Sequence, residues 1–166
     1  MKGNSKNKTA RGNASQFFVA GELCRRGVVA VITMGNTPNT DILCSNEMGT
    51  KFVHIQVKTF VPGNKTVSVG KKAERNYGER FIWVLSGIPH PDSDKPFEFY
   101  VIPSNIVSAN VSEGHSSWLS GEGKNGRVRK DSDVRTIVLP PHTSASGWNI
   151  EQYKNRWDII ERMLEE

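Results

Sequence analysis

Two short extended segments hold the residues whose types and spacing could do chemistry: Thr40-Asp41-Ile42-Leu43-Cys44 and Phe52-Val53-His54-Ile55-Gln56-Val57-Lys58-Thr59. In the second, alternation sends Val53, Ile55 and Val57 to one face and His54, Gln56 and Lys58 to the other. An amide and an amine in mid-strand are costly to bury unless partners meet them. A near-symmetric hairpin turning around Asn46 to Gly49 sets Asp41 roughly opposite His54. Gln56 is then its diagonal same-face neighbour at about 7–8 Å. A carboxylate, an amide oxygen, an imidazole and an ammonium would share one surface. Magnesium prefers oxygen ligands, keeps several waters, and needs only one or two carboxylates alongside phosphate oxygens. Asp41 offers the charged ligand, Gln56 a neutral one, and the backbone carbonyl of Val57 a third. Lys58 would hold a phosphate and an attacking water and offset developing negative charge. The pattern points to in-line attack of hydroxide on a phosphodiester.

The flanking elements must hold that hairpin rigid. Asn13 or Ser15 can cap a first helix running to about Arg26, with Phe17, Phe18, Val19, Ala20, Leu23 and Cys24 as a broad apolar face and Gly27 as its stop. Val28 to Thr33 reads as a first strand, and the turn-rich stretch Gly35 to Asn39 leads into the Asp41 strand. Lys65 to Val69 predicts a short edge segment, and Lys71 to Glu79 a polar helix or loop. Phe81 to Leu85 predicts a strand buried on both faces. Phe97 to Ile102 predicts another strand, Asn105 to Leu119 partial helix, Gly121 to Asp133 a glycine-rich basic loop, and Arg135 to Leu139 a last strand. Ile150 to Leu164 predicts an amphipathic helix with Tyr153, Trp157, Ile160 and Leu164 on one side. The fold class is α/β, a central mixed sheet of about five strands flanked by helices.

At 166 residues, 36% hydrophobic and 23% charged, the chain suits one domain with a real core. Residues 1–12, polar and basic, are expected to form a flexible tail, and 13–166 the domain. The tail lacks the apolar region of a secretory signal, and Val28 to Met34, the longest apolar run, is too short to span a bilayer. Cys24 and Cys44 have neither zinc spacing nor a disulfide framework. A cytoplasmic setting with no membrane partner is the expectation. Residues 1–80 carry thirteen Lys/Arg against five Asp/Glu, a net +8, while 81–166 carry nine against twelve, a net −3. A basic half around the candidate site suits a polyanion.

The array Asp41 … Gln56-Val57-Lys58 resembles the PD-(D/E)XK nuclease superfamily, in the variant where glutamine replaces the acidic residue, and a small endonuclease-like member of it. The resemblance covers roughly residues 13–102. It implies a restriction-endonuclease-like core: a helix, a three-stranded meander carrying the motif, a further helix and two more strands. It implies a nuclease using Mg²⁺ or Mn²⁺ on phosphodiester bonds in DNA, most naturally double-stranded, with Asp41, Gln56 and Lys58 catalytic. Glu22 on the first helix is implied as a further catalytic residue and metal ligand. Pro38 stands three residues before Asp41 instead of next to it, and neutral Gln56 leaves the site short of charge. Metal binding is therefore expected to be weak until a phosphate arrives.

Each residue has a plainer reading. Asp41 follows a Pro/Asn turn, where aspartate is common as a turn former. Glu22 can pair with Arg25 or Arg26 along a helix. Gln16, His54, Lys65, Lys71 and Lys72 are candidate phosphate contacts, with Arg75, Tyr77 and Arg80 nearby, although charge runs are commonly just solvated faces. The loop bearing Lys124, Arg127, Arg129 and Lys130 is a second basic surface. The rival to an enzyme is a catalytically inactive nucleic-acid-binding or assembly module retaining the fold. Cleaving both strands from a single-domain chain would call for a homodimer.

Overall fold

The computed structural model describes residues 5–34 and 37–165. Its elements in chain order are α1 (Ser5–Arg25), β1 (Val29–Ile32), β2 (Ile42–Ser45), β3 (Phe52–Phe60), β4 (Thr66–Ser68), β5 (Phe81–Gly87), β6 (Glu98–Pro103), α2 (Ser104–Ser120), β7 (Thr136–Val138) and α3 (Asp158–Glu165). A mixed sheet of five strands runs β1-β2-β3-β5-β6, with β3 at its centre. The β1–β2, β2–β3 and β5–β6 pairings are antiparallel, while β3 and β5 are parallel. β4 and β7 form a separate two-stranded sheet. The expected five-stranded mixed sheet with flanking helices is thus the observed architecture.

The alternation of β3 builds two cores. Val53, Ile55 and Val57 join Ile42, Cys44, Ile82 and Val84 under α1 and α3, through Val19, Leu23, Trp157, Ile160 and Leu164. On the other face Phe60, Trp83, Leu85, Tyr100 and Ile102 meet Val107 and Val111 of α2 and Ile137 of β7. Every residue of β5 is buried, as its unbroken apolar run predicts for a strand covered on both sides.

Two elements depart from expectation. α1 begins at Ser5 rather than near residue 13, so residues 5–12 continue the helix where composition suggested a tail; residues 1–4 lie outside the described residues, as do Gly35 and Asn36 of the expected turn. The C-terminal helix is also shorter than its apolar stripe. A 3-10 turn at Glu151–Tyr153 precedes a break, and α3 starts only at Asp158. Lys154 bridges Tyr100 and the Asn155 N–H donates to the Phe99 carbonyl at 2.8 Å, so this stretch completes the β6 edge with groups a helix would have used. Asn155 takes the left-handed conformation (φ 53°) at the break.

Candidate active site

The hairpin register differs from the near-symmetric one. Leu43, not Asp41, lies opposite His54, and Ile42 pairs with Ile55. Asp41 therefore stands directly across from Gln56, its backbone N–H donating to the Ile55 carbonyl at 2.8 Å. The turn accounts for the shift. Asn46 Oδ1 accepts the N–H groups of Thr50 (2.9 Å) and Lys51 (3.1 Å), so the loop closes between Asn46 and Lys51 and β3 enters the pairing two residues later than in the tighter turn.

The correction draws the site together. One oxygen of the Asp41 carboxylate, Oδ2, accepts both the Gln56 side-chain N–H and the Val57 backbone N–H, the latter at 2.7 Å. Gln56 is 4% exposed, and its other end is held too: Lys72 Nζ donates to Gln56 Oε1 at 2.8 Å. Lys58 projects from the same face of β3, half-buried beside Leu85. Burial pushes its ammonium pKa below the ordinary lysine value and the positive charge of Lys72 pushes the same way, while the Asp41 charge opposes both. Asp41, Gln56, Lys58 and Lys72 thus form one electrostatically connected group.

The donor set suits a hydrated divalent cation carrying little protein charge. Asp41 supplies a carboxylate whose second oxygen takes no part in those contacts. The Val57 N–H faces Asp41, and an extended residue sends its C=O to the same strand edge, so that carbonyl points past the end of β2 toward Asp41. Gln56 Oε1 becomes a ligand only if the amide turns and releases Lys72. No group of three or more His, Cys, Asp or Glu side chains is gathered for a metal among the described residues. Any cation here must rely on one carboxylate and neutral oxygens, and on phosphate for the rest.

Glu22 is not part of the group. It accepts from Arg25 at 2.8 Å and Arg26 at 2.7 Å, and Arg26 continues to Glu161 at 3.2 Å and over the Trp157 ring at 5.9 Å. Hydrogen bonding to Arg25, followed by Arg26, holds its carboxyl down at about 2. The last turn of α1 leads into Val29, which pairs with Ser45 and through it with Phe52, roughly 13 Å along β3 from Gln56. α1 also covers the face carrying Ile55 and Val57, opposite to Gln56. The resemblance placed Glu22 in the metal site; the two arginines at i+3 and i+4 take it instead.

The remaining candidates divide. Gln16 is half-buried on the inward stripe with Val19, Ala20 and Leu23. His54 Nδ1 shares a hydrogen bond with Thr40 Oγ1 at 3.1 Å and lines a cleft of about 280 Å³ with Tyr77 and Arg80. Lys71 pairs with Asp131 at 3.5 Å, and Lys65 is exposed beside β4. Lys72 is the residue whose role the sequence concealed. Its pattern reads as one cation in a basic run, and its partner is set by a 3-10 turn (Lys71–Glu74) that only the fold brings over β3. Ala73 is fully buried, the Arg135 Nε–Glu74 pair measures 2.5 Å, and the Lys71 N–H donates to the Asp133 carbonyl. The turn is locked on both sides of Lys72.

No protein-family model and no curated protein matches this chain. Among solved structures it is similar to a bacterial homing endonuclease, I-Ssp6803I, with TM-score 0.53 and 16% identity over 93% of this chain and 92% of that one. It is also similar to the Holliday junction resolvase Hjc of Archaeoglobus fulgidus, with TM-score 0.43 and 14% identity over 76% of this chain and 83% of the resolvase. At such identities the likeness is one of architecture: the chain has a restriction-endonuclease-like fold.

Proposed function

We propose that this chain is a divalent-metal-dependent nuclease that hydrolyses phosphodiester bonds in double-stranded DNA, an endonuclease acting in the cytoplasm. The observation that carries the reading is the convergence of Asp41, Gln56, Lys58 and Lys72 on the central strand of a restriction-endonuclease-like sheet. Asp41, the Val57 carbonyl and a rotated Gln56 would hold Mg²⁺ or Mn²⁺. The chemistry such an ion supplies is polarisation of a phosphoryl oxygen and a lowered pKa for an attacking water. Lys58 binds the scissile phosphate, orients the water for in-line attack, and offsets the charge that grows on the phosphoryl oxygens. Its partly buried setting strengthens that interaction relative to bulk water. Arg75 and Arg80 would extend a positive rim beside the site for flanking phosphates, with the His54 imidazole as a polar contact, and Arg75 lies over the Tyr77 ring at 5.3 Å. No helix among the described residues is long and apolar enough to cross a membrane.

One observation favours the rival reading, a DNA-binding or assembly module without chemistry. Lys72 donates to Gln56 Oε1 and Asp41 Oδ2 accepts the Gln56 N–H, so the buried amide is satisfied at both ends without an ion. Supercoiled plasmid incubated with Mg²⁺, Mn²⁺ or EDTA separates the two. The enzyme nicks in a metal-dependent way and loses nicking in Lys58→Ala while retaining DNA binding. Band shifts with no products under any metal, or nicking undiminished in Lys58→Ala, would reject it.

A further inference from the structure

Lys72 sits where a metal-dependent site would need an empty oxygen. Its Nζ is 2.8 Å from Gln56 Oε1, the atom the sequence assigns to the cation. The amide is held in that orientation from both ends, since Gln56 gives its N–H to Asp41. Turning it over without other changes would set Oε1 against a carboxylate and the NH₂ against an ammonium, both repulsive. The local charge is also wrong for a free dication: Asp41 contributes −1 while Lys58 and Lys72 contribute +2. A divalent cation meets two ammonium groups and one carboxylate, and competes with one of them for a ligand. Yet Lys72 is itself exposed on a rigid turn, with only its tip engaged, so its ammonium can leave without disturbing the fold.

We infer that Lys72 is an internal stand-in for the metal: it occupies Gln56 Oε1 in the DNA-free protein and yields that oxygen when a DNA phosphate takes its ammonium. Metal binding is thereby conditional on DNA. This rests on the nuclease reading of the same site and adds its regulation. The phosphate removes Lys72 from Gln56, adds negative charge, and provides further oxygen ligands. Those changes all favour the cation, and by linkage the cation favours DNA to the same degree. Lys72 is a positioning residue here, acting through the Gln56 amide. The arrangement would keep the site from acting with metal alone.

The test is Mn²⁺ affinity of the whole chain without DNA, read from the loss of the free-ion electron paramagnetic signal, together with duplex affinity by fluorescence anisotropy. Lys72→Met should bind Mn²⁺ on the order of tenfold or more tighter than wild type, because a competing donor and a positive charge are both gone. Lys72→Arg, which can still donate to Oε1, should stay near wild type. Lys72→Met should also lower the salt slope of duplex binding by about one. Equal Mn²⁺ affinities for wild type and Lys72→Met, or an unchanged salt slope, would overturn the exchange. Tight Mn²⁺ binding by Lys72→Met with no plasmid nicking by wild type would leave the exchange standing and sink the nuclease reading. Nicking by wild type with equal affinities would do the reverse.

Discussion

Asp41 is asked to do two jobs, and substitution can separate them. Its Oδ2 accepts the Gln56 side-chain N–H and the Val57 N–H, and Gln56 is almost wholly buried. Asp41→Ala removes that acceptor and leaves two donors without partners, while Lys58 and Lys72 lose their nearby anion. Leaving a buried donor unsatisfied costs about 1–3 kcal/mol, and part of this cost is relieved by water reaching the strand edge. A net loss of roughly 2–4 kcal/mol follows, which for a chain of this size lowers Tm by about 4–16 °C. Asp41→Asn keeps an oxygen for the Val57 N–H and should lose only about 1 kcal/mol, yet it removes the sole carboxylate of the site. The assay is thermal unfolding by circular dichroism alongside plasmid nicking in Mg²⁺. Asp41→Ala should be both unstable and inactive, and Asp41→Asn folded and inactive. An Asp41→Ala variant as stable as wild type would refute the claim that this carboxylate organises the strand edge.

Glu22→Gln should retain metal-dependent nicking, because Glu22 is bound to Arg25 and Arg26 and not to the site; loss of activity in a folded variant would restore it as a ligand. The stability Glu22 contributes is fully present above its ordinary pKa near 4.5 and lost as pH falls toward about 2, so urea midpoints of wild type and Glu22→Gln should converge across that window. Arg135 is 4% exposed and bonded to Glu74, Asp131 and the Ser132 and Val134 carbonyls; Arg135→Ala should cost about 1–3 kcal/mol by urea unfolding, since it removes the one donor these partly exposed acceptors share. An Arg135→Ala loss under about 1 kcal/mol would mean that the Lys71–Glu74 turn is held by other contacts. Gln56→Glu should keep some nicking, as it restores a charged ligand; a folded but dead variant would argue against metal binding at that position.

How much of this was legible in the sequence depends on how local the determinants are. The period-two pattern of β3 fixes which side chains share a face, and Gln56 and Lys58 do share one. Its central place in the sheet follows from the apolar runs around it. The Asp41 register was not legible, because it depends on how Asn46 caps the hairpin loop and not on the strands themselves. Glu22 sits apart from the Asp41 group at a place where a local rule was available: arginines three and four residues on hold it, with Glu161 brought to Arg26 by α3. The Trp157, Ile160 and Leu164 stripe was correctly read as buried, but helical continuity was not, since Lys154 and Asn155 spend their backbone groups on β6. Lys72 could not be placed at all without the fold, because its partner lies sixteen residues away across an unrelated turn.

The most direct measurement is anomalous diffraction from crystals soaked in Mn²⁺ with a bound duplex. One peak is expected within coordination distance of an Asp41 oxygen and the Val57 carbonyl, with Gln56 Oε1 turned toward it and Lys72 moved onto a phosphate. A fully occupied ion elsewhere, with Asp41 still hydrogen-bonded to Gln56 and Lys72 still on Oε1, would contradict that arrangement.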